Sequence, residues 1–224
     1  MTLRALLLDA GNTVVYLDHG VIADELGLAA EAVRDAEAPA KRRYEAMLRA
    51  GGTHEDGWFR YMREVVVGAG ATGDVDAKVR RLREVHDEFN LWRRVPERLP
   101  DALAALRAEG WRVGVVSNSE GRLEELFVRI GIDSLFEVVI DSARVGLQKP
   151  DPRIFHLATE ALDVRPDEAI YAGDIPAVDV DGALGAGLSA VLIDTFGVFP
   201  ELDRAPRFTE TTTMIDALRR GELG

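Results

Sequence analysis

A small set of polar positions carries the chemistry open to this sequence: Asp9, the pair Ser117-Asn118, Lys149, Asp174 and Asp179. Each lies just beyond a short apolar run or in a loop ahead of a helical pattern. A carboxylate can act as a covalent nucleophile towards phosphorus, giving an aspartyl-phosphate. Carboxylate and phosphate repel one another unless a hard cation bridges them, and Mg²⁺ with oxygen ligands does this. Asp174 offers a second carboxylate for such a cation, and Asp179 a further ligand or a hold on a bound water. Lys149 can neutralise the phosphate and keep Asp9 ionised through the opposite-charge effect on its pKa. The Ser117 hydroxyl, with backbone N–H groups at a following helix start, can grip phosphate oxygens.

The elements that must position these groups can be read from periodicity and turn signals. Residues 3–8 read as a buried strand that ends on Asp9, and ligands of an open parallel sheet bind beyond such strand ends. From Pro96 onward the pattern alternates helix and strand, which argues for a doubly wound parallel sheet. A helix opens at Leu99-Pro100-Asp101 and stops at Gly110, and Trp111 to Val116 forms the next strand. Ser119 is expected to cap a helix that carries Leu123, Leu126, Phe127 and Ile130 on one face before Gly131. Glu137 to Ile140 is a short strand. Asp151-Pro152 starts a helix with Phe155, Ala158 and Leu162 inward, and Ala169 to Ala172 and Ala190 to Ile193 supply two more strands. Residues 16–95 show several helical patterns and no convincing strand. Trp58, Tyr61, Met62 and Val65 recur there at helical spacing, as do Val75, Val79, Leu82 and Phe89 less regularly, and glycines at 51, 52, 68 and 70 break the helices apart. These stripes read as core packing.

The bulk numbers narrow the function classes. With 224 residues and 47% apolar content, the chain can form one α/β domain with an insertion. A net charge of −12 disfavours nucleic acid and anionic membrane as partners. It leaves room for an anionic substrate at a local cationic cluster. There is no cysteine, so disulfides, thiolate catalysis and cysteine metal sites are excluded. The first apolar run is too short for a signal peptide and no run approaches transmembrane length, so a cytoplasmic protein is expected.

Four motifs then stand in order: Asp9-Ala-Gly-Asn-Thr13, Val116-Ser117-Asn118, the stretch Gly146 to Phe155 around Lys149, and the stretch Gly173 to Ala183 around Asp174 and Asp179. In these the chain resembles a hydrolase of the haloacid dehalogenase superfamily over essentially its whole length. The resemblance implies an α/β fold whose Rossmann-like parallel sheet forms a three-layer α/β/α core, here residues 1–15 and 96–224. It implies a small α-helical cap inserted after the first motif, here residues 16–95. It also implies Mg²⁺ as cofactor and a small phosphorylated metabolite as substrate. Carried over by motif, Asp9 resembles the nucleophile, Ser117 the phosphate-binding hydroxyl, and Lys149 the charge-neutralising lysine, with Asn118 beside them at the substrate. Asp174 resembles the metal ligand, Asp179 its acidic companion, and Gly11 the residue whose backbone carbonyl completes the metal site.

Gly11 is also the departure. Phosphatases of the superfamily usually carry a second Asp at this place, which protonates the leaving group and then activates water. Its loss typically costs 10²–10⁴-fold in rate. Asp18 and His19 are the nearest titratable residues that could substitute, although a lone histidine such as His19 reads first as an ordinary surface residue. A substrate with a good leaving group would need no substitute, and a member that binds phosphorylated ligands or a partner without turnover would need none either. Dehalogenation, which also proceeds without the second Asp, requires no cation, whereas Asp174 and Asp179 stand in a metal-binding pattern. Schiff-base cleavage of a phosphonate would call on Lys41 or Lys78 of the insertion. His54, His86 and His156 have no zinc spacing and read as surface residues. Arg93-Arg94 reads as a solvated flank of the insertion.

Overall fold

The computed structural model describes residues 2–52 and 57–223. The chain divides into two units: one of Met1–Tyr16, Val95–Thr195 and Glu201–Gly224, the other of Leu17–Arg94 and Phe196–Pro200.

The first unit is built on a six-stranded, wholly parallel sheet. Its strands are β1 (Ala5–Leu8), β4 (Arg112–Ser117), β5 (Val138–Asp141), β6 (Ala169–Gly173), β7 (Ser189–Ile193) and β8 (Arg207–Phe208), in the order β5-β4-β1-β6-β7-β8. Parallel strands covered on both faces read as unbroken apolar runs, and Ala5–Leu8 and Ala169–Gly173 are buried at every residue. The helices α5 (Leu99–Ala108), α6 (Leu123–Ile130), α7 (Ser142–Val145), α8 (Pro152–Ala161), α9 (Asp181–Gly185) and α10 (Thr211–Arg219) flank the sheet in a Rossmann-like, three-layer α/β/α arrangement. From β1 the chain builds outward through β4 and β5, then crosses back to lay β6, β7 and β8 on the other side. The β1–β6 boundary is therefore the topological switch point, where α/β sheets bind ligands. Register fixes what lies there. Leu8 pairs with both Val115 and Ala172, and the Asp9 N–H donates to the Ala172 carbonyl at 2.8 Å.

Two elements of this unit differ from expectation. Ser119 does not cap α6: the helix starts one turn later behind Arg122, which supplies no side-chain cap. Asp141, at the end of β5, does the work instead. Its carboxylate accepts from Gly121 N at 2.9 Å, Leu123 N at 3.2 Å and, as the N-cap of α7, Ala143 N at 3.1 Å. Beyond Ile193 the sequence reading singles out no element, yet β8, only two residues long, and α10, which buries Met214, Ile215 and Leu218, follow. Asp151 does cap α8, accepting from Arg153 N at 2.9 Å with Pro152 at the first helical position.

The second unit holds α1 (His19–Leu26), α2 (Ala30–Arg49), α3 (Gly57–Gly68) and α4 (Val75–Glu88), packed on Leu17, Ile22, Val33, Tyr61, Met62, Val65, Val79 and Leu82. Among the described residues no helix is long and apolar enough to cross a membrane. The segment that reads as strandless contains two very short strands, β2 (Tyr16–Leu17) and β3 (Trp92–Arg94), paired at the points where the chain enters and leaves it. Two or three residues carry no alternation that could announce a strand. Residues 196–200 were expected in the sheet-bearing part but join this unit. There the Arg42 guanidinium donates to the Val198 carbonyl at 2.7 Å, and the Lys41 ammonium lies 5.6 Å from the centre of the Phe196 ring.

His86 and His19 are not surface residues. His86 is buried, with its Nδ1 accepting from Trp58 Nε1 and from Leu91 N, and the half-buried His19 pairs through Nε2 with buried Glu37. His156 is half-buried with Nε2 at the Ala186 carbonyl, and His54 lies outside the described residues.

Replacing Asp141 by Ala leaves three N–H groups of two helix starts without their acceptor. A loss of about 2–3 kcal/mol is expected, read as a lower urea midpoint at unchanged slope.

Candidate functional site

Four segments end at the carboxyl edge of the sheet, and each brings a polar side chain there; those of Asp9, Lys149, Asp174 and Asp179 form one cluster. Asp9 follows β1, Ser117 ends β4, Lys149 precedes α8, and Asp174 follows β6, with Asp179 in the wide turn Pro176–Val180. Asp9, Ser117, Lys149, Asp174 and Asp179 are all buried. Lys149 is the hub: its Nζ donates to Asp9 Oδ1 at 2.6 Å, Asp179 Oδ1 at 2.7 Å and Tyr171 Oη at 2.6 Å. Asp9, Asp174 and Asp179 each bring a carboxylate oxygen within 4.8 Å of the others.

The electrostatics follow from three carboxylates facing one ammonium in a dry place. Burial pushes the Asp9 carboxyl up to about 7; Lys149 works against this, while Asp179 and Asp174 add to it as like charges. Burial opposes the charge on Lys149, but Asp179 and Asp9 outweigh it and hold the ammonium above its ordinary pKa. Tyr171, pushed well above 10 by burial and then by Asp179 and Asp9, stays a neutral phenol. The remaining negative charge and the all-oxygen donor set are what a hard divalent cation requires.

Local geometry makes the crowding feasible. A Cβ on Gly173 would meet Asp179 Cγ at 2.4 Å, so only glycine lets the Asp179 turn close against the end of β6. Asp179 Oδ2 accepts from Ile175 N at 2.8 Å, which holds the same turn. The Asn118 carboxamide, expected at the substrate, is engaged with the backbone of Lys149: its Oδ1 accepts from Lys149 N at 2.8 Å and its Nδ2 donates to Lys149 O at 3.0 Å. Gly11 lies in the tight turn after Asp9, where Asn12 N donates to Val15 O at 2.7 Å. Asp18 and His19 belong to the helical unit. Asp18 caps α1 through Val21 N and pairs with Arg93 at 3.0 Å, so Arg93 is tied rather than freely solvated.

Sequence reasoning missed three contributors. Tyr171 sits inside an apolar run, and in a strand buried on both faces nothing in the pattern tells a functional tyrosine from a packing one. Its hydroxyl lies 2.9 Å from Val116 O and 3.1 Å from Asp179 Oδ1. Asn12 donates through Nδ2 to Asp174 Oδ2 at 3.2 Å. Thr211, at the start of α10, donates to the Thr13 carbonyl at 2.7 Å and anchors the turn after Asp9.

Comparison with known proteins finds relatives of the chain. The profile of the haloacid dehalogenase-like hydrolases matches residues 3–187. A phosphoserine phosphatase of Thermus thermophilus is 37% identical over 146 residues, which are 63% of this chain and 56% of that protein. A glyceraldehyde 3-phosphate phosphatase of Methanothermobacter thermautotrophicus is 32% identical over 130 residues, 58% of this chain and 57% of that protein. The matches thus span little more than half the length of these relatives. Among solved structures, the HAD-hydrolase YfnB of Bacillus subtilis, bound to magnesium, shares the fold with a TM-score of 0.72 at 16% identity, over 97% of this chain and 99% of that one.

A pH signature follows from Asp9. Burial pushes its carboxyl up to about 7, above the ordinary carboxylate range, so the folded state holds a proton that the unfolded chain releases. In chelator-treated protein this contribution is complete below about pH 4 and is lost as pH rises to about 7, on the order of a few kcal/mol. Asp9→Asn should remove that slope, measured by unfolding from pH 4 to 8.

Proposed function

We propose, since the chain belongs to the haloacid dehalogenase-like hydrolase family, that it is a phosphohydrolase cleaving a small phosphorylated metabolite through a phosphoryl group carried on Asp9. The observation that carries this reading is the buried contact of Lys149 with both Asp9 and Asp179, beside Asp174. A carboxylate held against a fixed ammonium in a dry site is a nucleophile with a built-in counter-charge. The relatives named for phosphoserine and glyceraldehyde 3-phosphate support a substrate of that size and chemistry.

The Asp9 carboxylate attacks phosphorus while the bond from phosphorus to the ester oxygen breaks, and the ester oxygen leaves with the electron pair. Water then attacks the same phosphorus, the bond to Asp9 breaks, and the free carboxylate and inorganic phosphate are released. Lys149 favours the ionised form of Asp9 against the effect of burial and faces the charge of the phosphoryl oxygens. The Ser117 hydroxyl is assigned to one of those oxygens. Asn118 sets the Lys149 backbone, and Asp179 sets its ammonium. Asp9, Asp174 and the Gly11 carbonyl are the groups that would hold Mg²⁺, with Asp179 as their acidic companion. The ion supplies the positive charge that lets a carboxylate and a phosphate meet. Gly11 has no proton to give, so the leaving oxygen takes its proton from water or leaves unprotonated. Substrate selection is assigned to the helical segment, residues 16–95.

The first test is hydrolysis of p-nitrophenyl phosphate with Mg²⁺, beside Asp9→Asn and a chelator control. Its activated leaving group needs no acid. Turnover that falls at least 100-fold in the variant and disappears with chelator is expected. Chloride release from a 2-chloro acid, dependent on Asp9 and indifferent to chelator, would overturn the phosphohydrolase reading in favour of dehalogenation.

Restoring the acid is a second test. Gly11→Asp should speed hydrolysis of an unactivated alkyl phosphate by about 10²–10⁴-fold and change the aryl phosphate rate little. Comparing kcat/KM on the two substrates measures this.

A further inference from the structure

The Asn12 side chain has a feature that the reaction above does not use. It is 6% exposed, its Nδ2 donates to Asp174 Oδ2 at 3.2 Å, and its Oδ1 is buried with no hydrogen-bond partner among the described residues. Its backbone has φ 52°, in the left-handed region where glycine is the least strained residue. A turn alone would favour glycine here, so the carboxamide must repay both the strained backbone and the buried unpaired oxygen. The latter alone costs about 1–3 kcal/mol. An ionised carboxylate only accepts hydrogen bonds, so Asp174 fixes which end of the amide faces it. The amide oxygen is thereby left for a donor that the protein does not supply.

We propose that Asn12 is a positioning residue of the cation site: its N–H orients Asp174, and its carbonyl oxygen is placed to accept a hydrogen bond from a water of the divalent cation's hydration shell. This rests on the cation site assigned above. A neutral carboxamide suits the place because it steers a metal carboxylate without adding a fourth negative charge to Asp9, Asp174 and Asp179. Groups that orient metal ligands from behind commonly contribute 10–100-fold to affinity.

The test measures binding without turnover. Melting temperature is followed against MgCl₂ concentration for wild type and Asn12→Gly, with the response of Asp174→Asn subtracted, and apparent dissociation constants are fitted by linkage. Glycine adopts φ 52° freely, so the variant folds, and unfolding of the metal-free forms checks this. The expected result is a 10–100-fold weaker Mg²⁺ response in Asn12→Gly with metal-free stability equal or higher. A wild type that responds while Asn12→Gly responds at the same concentrations would overturn this inference and leave Asn12 a turn residue. A wild type with no response beyond Asp174→Asn would overturn the cation site itself, and this inference with it.

Discussion

Everything at the carboxyl edge of the sheet depends on one buried ammonium. Taking Lys149 out of water costs several kcal/mol, and so does burying each carboxylate around it. Neither side is tolerable alone. Lys149 meets Asp9, Asp179 and the Tyr171 hydroxyl within 2.7 Å, so its three donors are all matched. That complete set of partners is what makes the site a fixed electrostatic environment rather than a group of solvated side chains. The cluster remains short of positive charge, and the elevated Asp9 carboxyl is the visible sign of the deficit.

The fold can be read as the means of holding that arrangement. The register of β1 against β4 and β6 puts Asp9, Ser117 and Asp174 at one edge without any side chain having to reach across the sheet. The reciprocal bonds between Asn118 and the Lys149 backbone tie the loop before α8 to the end of β4. Absence of a side chain at Gly173 lets Asp179 close in from the other direction. These supports are backbone-level constraints. The positions of the charged groups therefore depend little on side-chain packing near solvent.

How much of this was legible depends on whether the signal was local. Asp9, Ser117, Lys149, Asp174 and Asp179 stand next to turn residues at strand ends, and the structure brings all five to the same edge. The parallel sheet was legible because doubly covered strands leave unbroken apolar runs. Tyr171 was not, because a functional hydroxyl inside such a run looks like packing. Asp141 was missed as a cap because the helix start it serves lies about twenty residues earlier in the chain, and Ser119 offered a plausible local cap instead. Strands β2 and β3 were too short to show a period. His86 and His19 were read as exposed because a single sequence cannot show that Trp58 and Glu37 fold over to meet them.

Gly11 bears on which substrates the proposed chemistry suits. A missing general acid is worth a factor of 10²–10⁴, about 3–5 kcal/mol of barrier. Enzymatic accelerations commonly amount to 8–23 kcal/mol. Loss of the acid therefore removes only part of the catalysis, provided that positioning and electrostatic stabilisation remain. In this site the electrostatic part is the one most fully built: a matched ammonium, an oxygen cluster suited to a divalent cation, and burial that strengthens both. The deficit falls on the leaving group, since all three Lys149 donors are engaged and Asp9 must be ionised to attack. A substrate whose leaving oxygen is already a stable anion would lose almost nothing at Gly11, while a simple alkyl ester would bear the whole penalty. In the proposed reaction Gly11 would thus act as a filter on leaving-group basicity, independent of the shape of the substrate.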